Sequence, residues 1–163
     1  MKTLSLTQPW ATLVAIGAKR IETRSWKTAY HGELAIHAAK VFKREYRELA
    51  RSEPFRSVLI ESGVDVDNPD SFPTGSIVSL VEVVGYAPTN NLHSQHVMKM
   101  LNDPELSERE RAFGDYGRDR WMWMFGGGAV WLKHPIGCAG HQRLWSVPKE
   151  VADQVTIQAI RHL

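Results

Sequence analysis

The sequence predicts an α+β protein, a mixed sheet with peripheral helices, folded as one domain over residues 1–163. Three observations carry that reading. A strand, a helix and a second strand follow one another within residues 3–26. Residues 75–86 and 121–125 alternate with the period of two expected of strands. Proline opens and glycine closes helical segments, as at Pro9 with Gly17 and Pro54 with Gly63. A sheet of this make-up can close as a barrel.

Residues 3–6 read as the first strand. Pro9 suits the first turn of a helix, where its missing N–H is no loss, and Thr7 is the candidate cap before it. Trp10, Leu13, Val14 and Gly17 recur at helical spacing, so one face is apolar, and Gly17 ends the helix. Residues 21–26 are extended: Glu22, Arg24 and Trp26 share one face, and Ile21, Thr23 and Ser25 the other. Residues 33–38 form the next strand, with Leu34 and Ile36 opposite Glu33, Ala35 and His37. Helices follow over residues 41–51 and from Pro54 to Gly63, then a loop over 65–74.

Residues 75–86 are the clearest strand. Ile77, Ser79, Val81 and Val83 fall on one face, and Val78, Leu80, Glu82 and Val84 on the other. Glu82 interrupts an apolar face. A buried carboxylate needs a partner, and Lys19 and Arg24 are the candidates. Residues 88–120 are polar and broken by Asn, Pro and Gly, which predicts an insertion or lid with short helices over 93–101 and 105–112. His93 and His96 lack a nearby carboxylate or cysteine and read as solvated helix residues rather than metal ligands. Trp121, Trp123 and Phe125 alternate and read as a core face. Residues 126–128 are glycines that suit a hairpin or bulge. Strands over 129–133 and 141–147 flank a turn-rich stretch, and Pro148 opens a final helix to residue 161.

Hydrophobic residues make up 43% of the chain and charged ones 23%, which is ordinary for a soluble domain. No apolar run approaches a membrane span, and no signal peptide is evident. A single cysteine, Cys138, excludes an internal disulfide and points to a reducing, cytoplasmic setting. The net charge of +2 permits nucleic-acid binding without requiring it. Lys40, Lys43, Arg44, Arg47 and Arg51 share much of one helical face, either as a phosphate-contacting surface or as a solvated one.

The stretch from Gly17 to Arg24 carries a recognisable pattern. Gly17-x-Lys19-x-x-Glu22-x-Arg24, with Gln8-Pro9-Trp10 ahead of it, resembles the signature of the ASCH domain family. The resemblance implies a PUA-like β-barrel with peripheral helices, a fold associated with RNA. It covers most of the chain, but no family signature is visible in residues 88–120. It also implies an activity for some members, amidohydrolysis of acetylated cytidine by a lysine, a threonine and a glutamate. Ribonuclease activity has been attributed to others. Lys19 matches the lysine and Glu82 the glutamate, but Glu22 stands where the threonine would be. A water attacking under Glu22 or Glu82 is the remaining hydrolytic route.

The expected ligand-binding set is Gln8, Trp10, Lys19, Glu22, Arg24, Trp26 and Glu82, with Lys19, Glu22 and Glu82 catalytic if the protein is an enzyme. Arg24 could hold a carboxylate or phosphate with two parallel bonds, and Trp10 or Trp26 could stack a base. No metal or cofactor is called for. Two functional classes result. One is a module binding RNA or a nucleotide or nucleoside; the other is a hydrolase of a modified nucleoside or of RNA. As a functional site, Lys19→Ala and Glu82→Gln should abolish binding or turnover at little cost in stability; as scaffolding, they should do the reverse.

Overall fold

Helix α1 (Trp10–Ala15) shows how local chemistry sets the first corner. It follows β1 (Lys2–Leu6). Its cap is the Gln8 side chain, not Thr7: Gln8 Oε1 accepts from the backbone N–H of Thr12 at 3.1 Å and from its hydroxyl at 2.9 Å. The longer amide reaches the orphan donor because Pro9 places Gln8 one position further out. Gly17 takes φ +76°, where a side chain would be strained, and turns the chain so that the Lys19 N–H reaches the Leu13 carbonyl at 3.0 Å. Strand β2 (Ile21–Arg24) leaves that corner.

The structure, a computed structural model, describes residues 1–91 and 104–160. Expectations for His93, His96 and a helix over 93–101 fall outside those residues. The elements after β2 are β3 (Gly32–Ala38), α2 (Arg44–Ala50), α3 (Phe55–Glu61), β4 (Ser76–Pro88), α4 (Pro104–Phe113), β5 (Trp121–Phe125), β6 (Val130–Gly137), β7 (Leu144–Ser146) and α5 (Lys149–Ile160). Strand β6 runs through Pro135, further than its sequence suggests, because residues 136 and 137 still pair with β4. Among the described residues no helix is long and apolar enough to cross a membrane.

The strands join in the order β2-β5-β4-β3-β1-β7, with β6 pairing β4 as a branch. The sheet is therefore open and does not close into the expected barrel. Two features account for this. Strand β4 spends its first half on β6 and its second half on β5, so the sheet forks instead of wrapping. Strand β7 has three residues and covers only the first half of β1. The second half of β1 faces β2 across a seam. The Arg24 guanidinium spans it, donating from Nη2 to the Ser5 carbonyl at 2.9 Å.

Both sheet faces are covered. Leu34, Ile36, Val81, Val83, Trp123 and Phe125 pack on one side, with Val14 of α1. Ala35, Ile77, Leu80, Leu132 and Trp145 pack on the other, with Val155 of α5. A bulge between Ile77 and Ser79 resets the alternation, so Ile77 and Val81 lie on opposite faces rather than on one. A third cluster, with Phe55, Leu59, Phe72 and Phe113, holds α2 and α3 against α1. Trp123 and Phe125 are buried as expected, and Trp121 at the strand's start is half-buried.

Glu82 departs from expectation. It is exposed. Pairing with β6 stops at Leu80, so the cover over this face ends just before Glu82. Its register partner on β3 is Glu33, also exposed, and neither Lys19 nor Arg24 pairs with it.

Candidate functional site

Beyond Gly17, the chain must carry a lysine into a nearly water-free corner. Lys19 is 1% exposed. Its ammonium donates to the Ile21 carbonyl and lies 3.6 Å from Glu22 Oε2. Glu22 in turn takes Arg24 Nε at 3.0 Å through its other oxygen. One carboxylate thus sits between two cations on the β2 face that also leads to Trp26. Thr23 is on the opposite face, where its hydroxyl accepts from the Asp115 N–H at 3.2 Å.

A second carboxylate completes the cluster, and it is Glu110 of α4 rather than Glu82. Glu110 is fully buried. Its Oε1 accepts from the backbone N–H groups of Arg20 and Ile21, which open β2. Its Oε2 has no hydrogen-bond partner among the described residues, and neither does the Tyr116 hydroxyl. Burial pushes the Glu110 carboxyl up to about 7, against the opposing pull of Lys19 and the two N–H donors. Burial, then the carboxylates Glu110 and Glu22, push the Tyr116 phenol up as well.

A cleft of about 550 Å³ opens along the seam between β1 and β2. Glu22, Arg24 and Trp26 line it from β2, Trp10 from α1, Tyr46 from α2 and Arg120 from the approach to β5. The aromatic walls are braced. Trp10 donates from Nε1 to the Phe113 carbonyl at 2.8 Å and meets Tyr46 edge to face at 4.9 Å. Trp26 meets Trp123 edge to face at 4.6 Å. Arg120 is fixed by Nη2 to the Thr23 carbonyl at 3.1 Å and Nε to the Asp115 carbonyl at 3.0 Å. Half-exposed cations, a carboxylate and flat ring faces in a cleft of this size can hold a nucleotide-sized anion.

The seven sequence-predicted residues thus divide. Trp10, Glu22, Arg24 and Trp26 line the cleft. Lys19 stands behind Glu22, and Gln8 is a fully buried helix cap whose Nε2 donates to the Pro73 carbonyl at 2.7 Å. Glu82 lies outside. Sequence reasoning missed Glu110, Arg120 and Tyr46. The first two sit in the polar stretch read as a lid, where no periodicity marks a buried residue. The basic face of α2 is a solvated surface: Lys43, Arg44 and Arg51 pair with Glu45, Glu48 and Asp67.

Comparison with known proteins bears on the family and the fold. The ASCH domain model matches residues 4–120, a span that includes α4 and Glu110. The human protein "Activating signal cointegrator 1" is 37% identical over 81 residues, covering 50% of this chain but 13% of that protein. Its mouse counterpart is 36% identical over the same length and the same shares. The crystal structure of ASCH from Zymomonas mobilis superposes with a TM-score of 0.51 at 14% identity, covering 96% of this chain and 93% of that one. A mutant form of that same protein superposes equally well, at 13% identity and 96% coverage of both chains. At such identities the likeness concerns the fold.

Proposed function

The chain belongs to the ASCH domain family, and from that premise we propose that it binds RNA, or a nucleotide or nucleoside, in the seam cleft. One observation carries the reading: Trp10 and Trp26 line the same cleft as the guanidinium of Arg24. Rings offer a stacking face for a base, and a guanidinium matches phosphate geometry. Arg24 keeps its Nη1 side uncommitted by the contacts to Glu22 and Ser5. Family membership supports RNA as the ligand class. The test is an equilibrium titration with nucleoside monophosphates and short RNA, followed by tryptophan fluorescence. Arg24→Lys keeps the charge but loses the planar fork, and should weaken binding by about tenfold or more. Unchanged affinity in that variant, or no saturable signal, refutes the proposal.

A hydrolytic reading has one observation in its favour. Glu22 presents a carboxylate to the cleft with the Lys19 ammonium 3.6 Å behind it. Such a pair can orient a water toward an amide or phosphate ester. Lys19 then positions Glu22 rather than touching substrate, and Glu82 has no part. Turnover of acylated nucleosides and RNA by the wild type, lost in Glu22→Gln, would support this reading. Absence of turnover across the panel would leave binding alone.

A further inference from the structure

Arg120 lines two grooves at once. On one side is the seam cleft; on the other is a groove of about 480 Å³ whose walls include Arg118, Asp119 and Trp121. The second groove leads to an aromatic surface. The Trp121 ring lies tilted against Tyr86 at 6.4 Å, and Tyr86 against His31 at 5.5 Å. Lys27, exposed, holds its ammonium 5.1 Å from the centre of the Trp121 ring and 5.3 Å from that of Tyr86. Arg118 is exposed and makes no ion pair or hydrogen bond among the described residues. Asp119 is the carboxylate on this wall.

This arrangement differs from an ordinary core edge. Trp121 is half-buried, so part of its ring stays open to solvent. A flexible lysine resting over two rings marks electron-rich faces that a base can take in its place. Arg120 anchors through Nε and Nη2, which leaves Nη1 uncommitted at the junction of the grooves. Cations beside stacking faces, continuous from one groove to the next, are what a nucleic-acid strand requires and a lone nucleotide does not.

We infer that the ligand of the seam cleft is a single-stranded nucleic acid spanning both grooves: one nucleotide occupies the cleft, the backbone crosses Arg120, and a neighbouring base stacks on Trp121. This rests on the cleft reading above. The experiment compares uridine monophosphate, six-nucleotide uridine and deoxyuridine strands, and a short duplex, on the wild type, Trp121→Ala, Arg118→Ala and Arg24→Lys. One stacked base contributes enough for the six-nucleotide strands to bind about tenfold tighter than the monophosphate. Trp121→Ala removes that gain and leaves monophosphate affinity unchanged. Arg118→Ala, at an exposed position that cannot disturb the core, lowers the salt slope for the strand by about one. Arg24→Lys weakens every ligand. A strand that binds no tighter than the monophosphate, a Trp121→Ala variant that binds it like the wild type, or a duplex that binds as well as a single strand overturns the inference. Loss of the strand's advantage in Trp121→Ala, with no effect of Arg24→Lys, would instead sink the cleft reading and leave the second groove standing.

Discussion

Replacing Glu110 with glutamine isolates the energetics of the buried cluster. The carboxyl stands at about 7 in the folded chain against 4.5 ordinarily, with burial as the leading cause. The sign follows from proton counting. Between these values the folded state holds a proton that the unfolded state has released, so stability falls as pH rises. The slope is about 1.4 kcal/mol per pH unit, and the loss reaches about 3 kcal/mol once pH exceeds the folded value. Glutamine keeps an oxygen for the Arg20 and Ile21 N–H groups and cannot ionise. The variant should match the wild type at about pH 4, to within a constant offset, and gain about 3 kcal/mol on it by about pH 8. Urea denaturation of both proteins across that range measures the difference directly, and other titrating groups cancel in it. A difference flat with pH would refute the claim that burial raises the Glu110 carboxyl.

Other outcomes rest on the same buried and exposed groups. Lys19→Ala should cost about 2 to 5 kcal/mol, because it empties the space of a buried side chain and takes one of two cations from Glu22, whereas exposed Glu82→Gln should stay within about 0.5 kcal/mol; thermal or urea melts of the two variants decide this. Trp123→Ala should cost about 3 to 5 kcal/mol, since its ring is fully buried and braces Trp26. Burial holds His37 below the usual imidazole range. The unfolded state therefore takes up a proton first, and stability should fall as pH drops through the ordinary histidine range; an acid-side denaturation series in which His37→Gln flattens that fall would confirm it. Affinity for RNA should decline with added salt, but with a shallow slope, because few cations flank the cleft; a titration at several salt concentrations measures it.

Much of the corner was legible because local chemistry dominates there. Pro9, Gly17 and the alternation of β2 put Glu22 and Arg24 together, and turn the Thr23 hydroxyl to the Asp115 N–H on the other strand face. The errors arise where distant elements decide. Whether Glu82 is covered depends on where β6 stops pairing with β4, which no period within β4 reveals. The bulge at Ile77 and Ser79 breaks the alternation without an unusual residue to signal it. Closure of the sheet depends on the length of β7, and three residues leave the seam that the cleft occupies. Glu110 was hidden because a glutamate in a charged helical stretch looks solvated until β2 supplies two N–H groups for it. Trp10 was recognised as a ring near the site, but its bond to the Phe113 carbonyl required the fold.

Occupation of the seam cleft by a ligand can be followed through the indole N–H resonances of the six tryptophans during titration with a nucleoside monophosphate. Trp10 and Trp26 line the cleft, whereas Trp131 lies on β6 and Trp145 packs beside His37. A ligand in the cleft should give saturable shifts of the Trp10 and Trp26 resonances while those of Trp131 and Trp145 stay fixed. Shifts confined to Trp131 or Trp145, with Trp10 and Trp26 unmoved, would contradict binding in the cleft.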